Sequence, residues 1–93
     1  MDLHKKKYKK NILITGCSSG IGLHVARDMK EIGWNVIASC RKESDCKIMR
    51  EKYGFLSTVI NYDNEESITS GLNYSREKTN GRIDILFNNG AYG

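Results

Sequence analysis

Hydrophobic and polar positions divide the chain into short apolar runs separated by longer amphipathic stretches. Asn11 to Thr15 is mostly apolar with no alternation, the pattern of a strand buried on both faces in a parallel sheet. Asn35 to Cys40, Leu56 to Ile60 and Ile83 to Phe87 follow as three further strands, the last entered through the turn Asn80-Gly81. Between the first two, a helix is expected from about Gly20 to Ile32. Ile21, Val25, Met29 and Ile32 would form its apolar stripe, Arg27, Asp28, Lys30 and Glu31 would lie mostly off it, and Gly33 would close it as a left-handed cap. Ser44 is the expected N-cap of a short second helix ending near Lys52, with Tyr53 and Gly54 as the exit. Asp63 with Glu66 imitates a capping box and opens a third helix from about Glu65 to Lys78. Gly71 weakens that helix by roughly 1 kcal/mol relative to alanine, so its order must come partly from packing. Strand and helix thus alternate as β-α-β-α-β-α-β, which implies a parallel sheet with right-handed crossovers. The first two crossovers move the same way along the sheet and should place their helices on one face. The third returns past the first strand and should cover the other face alone.

The turn after the first strand carries the chemistry. Gly16, Gly20 and Gly22 stand between an apolar strand and an amphipathic helix. In that order Gly16 allows a tight exit from the strand, Gly20 lets the backbone approach a pyrophosphate, and Gly22 lets the helix lie against the sheet. The helix N-terminus then directs free N–H groups and a positive dipole end at the phosphates. Ser18, Ser19 and Ile21 belong to the same loop and are candidate cofactor contacts. Thr15-Gly16-x-x-x-Gly20-x-Gly22 resembles the cofactor motif of the short-chain dehydrogenase/reductase family, and Asn88-Asn89-Gly90-Ala91 resembles its NNAG motif with Gly and Ala exchanged. Gly16 to His24 is most similar to the hydroxysteroid-dehydrogenase-like members. The resemblance runs from about Asn11 to Gly93. It implies a Rossmann-type, doubly wound parallel sheet, partial here, with four strands in the order 3-2-1-4 and three intervening helices.

Cofactor choice in dinucleotide folds is made at the end of the second strand, where an acid bonds the ribose hydroxyls of NAD and an arginine accommodates the 2′-phosphate of NADP. The chain has Ser39-Cys40-Arg41-Lys42 there, with no acid. Arg41 is the candidate selector for NADP over NAD, assisted by Lys42 and the Ser18 and Ser19 hydroxyls, because guanidinium meets phosphate with charge-assisted, bidentate hydrogen bonds. Asn61 occupies the place where the family resemblance implies an aspartate that accepts from the adenine amino group, and its side-chain oxygen can accept the same bond. Asp63 is read as a helix cap. The resemblance assigns Asn89 and Gly90 to cofactor contact and to bonding at the sheet end.

The resemblance also implies catalysis by a serine, a tyrosine and a lysine four residues later, moving hydride between nicotinamide and a carbonyl or alcohol. That tyrosine would lie well beyond Asn89. Tyr74 and Lys78 have the right spacing but precede Asn88 on the third helix, at the end away from the nicotinamide, so no catalytic residue is assigned in this chain. The expectation is an N-terminal, NADP-binding part, residues 11–93, truncated before the catalytic half and inactive alone, with the small-molecule substrate taken by the full-length form. The alternative is a non-catalytic nucleotide-binding module or truncated remnant, since fold alone does not fix function.

Composition changes this picture little. Ninety-three residues with 39% hydrophobic and 28% charged side chains suit one small soluble domain. The net charge of +4 resides in the first ten residues, where five lysines face one aspartate. This basic arm, residues 1–10, is read as a solvated lead into the first strand in preference to a nucleic-acid contact. Cys17, Cys40 and Cys46 form no C-x-x-C pair and have no histidine at metal spacing, so no metal is assigned and a reduced, cytoplasmic compartment fits. No run approaches the roughly 20 apolar residues of a membrane span. An open fourth strand and an incompletely covered sheet face point to self-association as a homo-oligomer, or to a loosely packed state, for the isolated chain.

Overall fold

Residues 9–89 are described by the computed structural model, and their backbone alternates between strand and helix throughout. The elements are β1 (Asn11–Ile14), α1 (Gly20–Glu31), β2 (Asn35–Cys40), α2 (Glu43–Tyr53), β3 (Leu56–Val59), α3 (Glu65–Lys78) and β4 (Ile85–Phe87). The strands form one parallel sheet in the order β3-β2-β1-β4. This is the expected doubly wound α/β arrangement. In register, Leu13 stands beside Ile37 on one side and Leu86 on the other.

Alternate residues of each strand feed two cores. Ile12, Ile14, Val36, Ala38 and Cys40 pack with Ala26 of α1 and with Cys46 and Met49 of α2. Leu13, Ile37 and Ile60 face the other way and meet Ile68 and Tyr74 of α3. Two helices therefore cover one face and one helix the other, as the crossover argument requires. On the thinly covered face Leu86 stays 58% exposed beside a pocket of about 170 Å³ between α3 and β4.

Several local expectations are corrected. The buried positions of α1 are Gly22 and Ala26, flanked by half-buried Leu23, Val25 and Met29, whereas Ile21 and Ile32 are exposed. Small residues let the helix axis approach the sheet, and that close approach rotates the isoleucines outward. Ser44 does not cap α2: Lys42 is the N-cap, without a side-chain bond, and the helix starts one residue before Ser44. The cap of α3 is Asn64, whose Oδ1 accepts from Ser67 N at 3.1 Å, in place of the capping box expected from Asp63 and Glu66. Ile83 precedes β4 and is not part of it. The approach to β4 is instead pinned to the start of β1, with Asn11 N donating to the Asp84 carboxylate at 2.8 Å and Asp84 N donating to Asn11 O at 3.0 Å. Those bonds hold the Asp84 carboxyl below its usual range, the Asn11 N–H contributing most and Arg82 adding to it. Gly33, Asn80 and Gly81 adopt the positive φ expected of a helix exit and a turn.

Candidate functional site

All four strands end at the same edge of the sheet, and the order reverses at β1, where β2 lies on one side and β4 on the other. Open α/β sheets bind ligands in the crevice at that switch point. Beyond β1, Gly16 has φ +68° and Gly20 φ +66°, left-handed backbone that glycine adopts without strain. A Cβ on Gly20 would meet nothing within 4 Å, so the space in front of it is open. A Cβ on Gly22 would overlap Gly16 O and come within 2.8 Å of Asn89 Nδ2. Gly22 thus serves packing, and Gly20 faces outward from the turn.

The N-terminus of α1 differs from those of its neighbours. Its N-cap Ser19 makes no side-chain capping bond and its first turn holds no acid. The first turns of α2 and α3 carry Glu43 and Asp45, and Glu65 and Glu66, which offset the positive dipole ends. The α1 end keeps its positive potential, with Ser18, Ser19 and Ile21 exposed around it.

Across β1, a side-chain network closes the loop. Asn89 Nδ2 donates to Gly16 O at 3.1 Å, and Asn89 N donates to Thr15 Oγ1 at 2.9 Å. Thr15 Oγ1 also lies 3.0 Å from Asn88 Oδ1. The Tyr62 hydroxyl reaches Thr15 Oγ1 at 3.0 Å and Asn88 Oδ1 at 2.5 Å, tying the segment after β3 to the ends of β1 and β4. Tyr62 was not singled out from sequence, because one tyrosine beyond a strand forms no motif. Its position next to Asn61 was the one available signal.

Cys17 is buried within the same loop. Its N–H donates to Ser39 O at 3.0 Å and its thiol to Ile14 O at 3.2 Å. Burial pushes the thiol up to about 12, against the lowering effect of a Ser39 backbone bond, so it remains a neutral packing group. Burial raises Cys40 as well, with Cys46 and Cys17 adding to the effect.

At the far end of the crevice, Arg41 and Asn61 come together through Asp63. Asn61 Oδ1 accepts from Asp63 N at 3.0 Å, and Arg41 Nη2 lies 3.0 Å from Asp63 Oδ2. Gly90 lies outside the described residues. Tyr74 packs into the second core with the Lys78 ammonium 5.5 Å from its ring centroid. His24 pairs at the surface with Asp28 at 3.3 Å. Among the described residues no three His, Cys, Asp or Glu side chains are arranged to hold a metal, and no helix is long and apolar enough to cross a membrane.

Comparison with known proteins places this geometry. The family model for short chain dehydrogenases matches residues 10–93. The uncharacterized oxidoreductase YbbO of Escherichia coli K12 is 39% identical over 88 residues, covering 95% of this chain and 32% of that protein. The chain therefore spans about a third of the length of the curated relatives it matches. Among solved structures, L-sorbose reductase from Gluconobacter frateurii, in complex with NADPH and L-sorbose, superposes with a TM-score of 0.69. It is 28% identical, covering 91% of this chain and 34% of the reductase. Actinorhodin polyketide ketoreductase with NADPH superposes with a TM-score of 0.77 at 25% identity, covering 90% of this chain and 34% of that one. A glycine turn opening an uncompensated helix end, an asparagine that locks it from the fourth strand, and these matches agree: the chain belongs to the short-chain dehydrogenase family.

Proposed function

We propose that the chain is the NADP(H)-binding part of a reductase or dehydrogenase acting on a carbonyl or alcohol. The observation that carries the dinucleotide assignment is the α1 N-terminus, which has neither a capping side chain nor an acid and is approached through open space at Gly20. Those are the requirements of a pyrophosphate seat. When bound, the nicotinamide would supply the hydride; the residues of this chain would bind and orient it. Ser18, Ser19, Gly20 and Ile21 would surround the pyrophosphate, Gly16 and Gly22 shape the turn, Asn89 would border the cofactor's path beyond β4, and Gly90 is assigned to cofactor contact by the sequence motif alone. Asn61 would accept from the adenine amino group, since the oxygen that takes the Asp63 N–H retains a second lone pair.

The choice of NADP(H) rests on Arg41, a 68% exposed guanidinium at the end of β2. The NADPH carried by the sorbose reductase and ketoreductase neighbours is in keeping with it. Calorimetric titration tests the assignment. NADPH should bind more tightly than NADH, and Arg41→Asp should reverse the order, a swing of roughly ten- to a hundredfold for one well-made phosphate pair. Equal affinities in the unmutated protein would remove Arg41 from the selector role.

A further inference from the structure

The guanidinium that would meet the 2′-phosphate already has an anionic partner. Arg41 Nη2 lies 3.0 Å from Asp63 Oδ2, and the two side chains are comparably exposed. The carboxylate is held opposite Arg41 by the turn after β3. Asn61 Oδ1 accepts the Asp63 N–H at 3.0 Å, and Asn61 N donates to Ser67 Oγ at 2.9 Å, which anchors that turn to α3. β2 and β3 are paired up to Cys40 and Val59, so the residues just beyond them stand side by side. Helix capping does not require Asp63, because Asn64 performs it. Glu43, the acid nearest Arg41 in sequence, is engaged by Arg50 at 2.7 Å.

We infer that Asp63 is a specificity-determining residue of the cofactor site: its carboxylate occupies Arg41 in the free protein and opposes the 2′-phosphate, narrowing the margin by which NADP(H) is preferred to NAD(H). The inference rests on the assignment of Arg41 as the phosphate-binding residue. An exposed ion pair is weakly held, so a phosphate with nearly two negative charges can displace it. The displaced carboxylate is tethered by its turn and stays close to that phosphate, where like charges repel. The ribose hydroxyl of NAD(H) meets no such repulsion and can donate to the same carboxylate. Asp63 therefore taxes one cofactor and spares the other.

Calorimetry on the full-length protein with NADPH, NADH and adenosine 2′,5′-bisphosphate tests this. Asp63→Asn should tighten NADPH and the bisphosphate about three- to tenfold while NADH changes less than about twofold. Asp63→Ala should move the same way, and the gain should shrink in an Arg41→Ala background, where competition for the guanidinium is gone and only the like-charge repulsion remains. If Arg41→Ala weakens NADPH but neither Asp63 variant strengthens it, the inference is overturned and the Arg41 assignment stands. If Arg41→Ala leaves NADPH binding unchanged, both fall together.

Discussion

Gly20 and Gly22 sit two positions apart in one motif yet answer to different constraints. Gly22 has no room for a side chain, because the missing Cβ position is taken by Gly16 O and the Asn89 amide. Gly22→Ala should lower unfolding stability by about 1–3 kcal/mol in urea titrations, the usual cost of overpacking. Gly20→Ala meets no atom within 4 Å but must hold φ +66°. It should cost about 1 kcal/mol of stability while weakening dinucleotide binding, since the added methyl would enter the space proposed for the pyrophosphate. A Gly22→Ala protein as stable as the parent would contradict the packing assignment. The spacing announced both glycines and their separate duties; what it could not name is the neighbour that closes the space at Gly22, the Asn89 amide arriving from 67 residues along the chain. The same holds for Tyr62, whose hydroxyl acquires meaning only when Thr15 and Asn88 are brought beside it.

At the scale of elements, the strands were legible because apolar runs bounded by glycine and polar residues leave little choice. Helix faces and caps were less so. The α1 stripe expected from bulky residues included Ile21 and Ile32, yet the helix rests on Gly22 and Ala26. Periodicity weights size, whereas close helix–sheet packing rewards its absence. Caps were misplaced by one or two residues, because Asp63, Asn64 and Ser44 all suit an N-cap and only the backbone path selects among them. Asn64→Ala should therefore destabilise the protein by about 1 kcal/mol in thermal or urea unfolding, and Ser44→Ala should have almost no effect. The reverse order would restore the expected caps.

For the molecule as a whole, the fold class and strand order were legible, since the βαβ handedness rule leaves few topologies for this alternation. The unequal covering of the two faces followed from the same rule. What could not be foreseen was how β4 is secured to β1 ahead of the ladder, through Asp84 and Asn11. The folded carboxyl of Asp84 is held below its unfolded value, so its contribution is fully present above the ordinary carboxylate range and is lost as pH falls through the lowered folded value. Melting temperatures of Asp84→Asn and the parent should differ at pH 6 and converge toward pH 2. A difference that persists undiminished at pH 2 would show that the carboxylate is not the tie.

The central place of β1 also imposes an order on folding. During synthesis β1 emerges first and β2 soon offers it one neighbour, but its other edge stays unpaired until β4 appears, about 70 residues later. Contacts so distant in sequence form slowly, because a long loop must close before they reward it. Thr15, Asn88 and Asn89 meet only when that closure is complete. The loop proposed to receive the dinucleotide is thus locked last among these elements, and on that proposal a nascent chain acquires cofactor affinity only after β4 has docked.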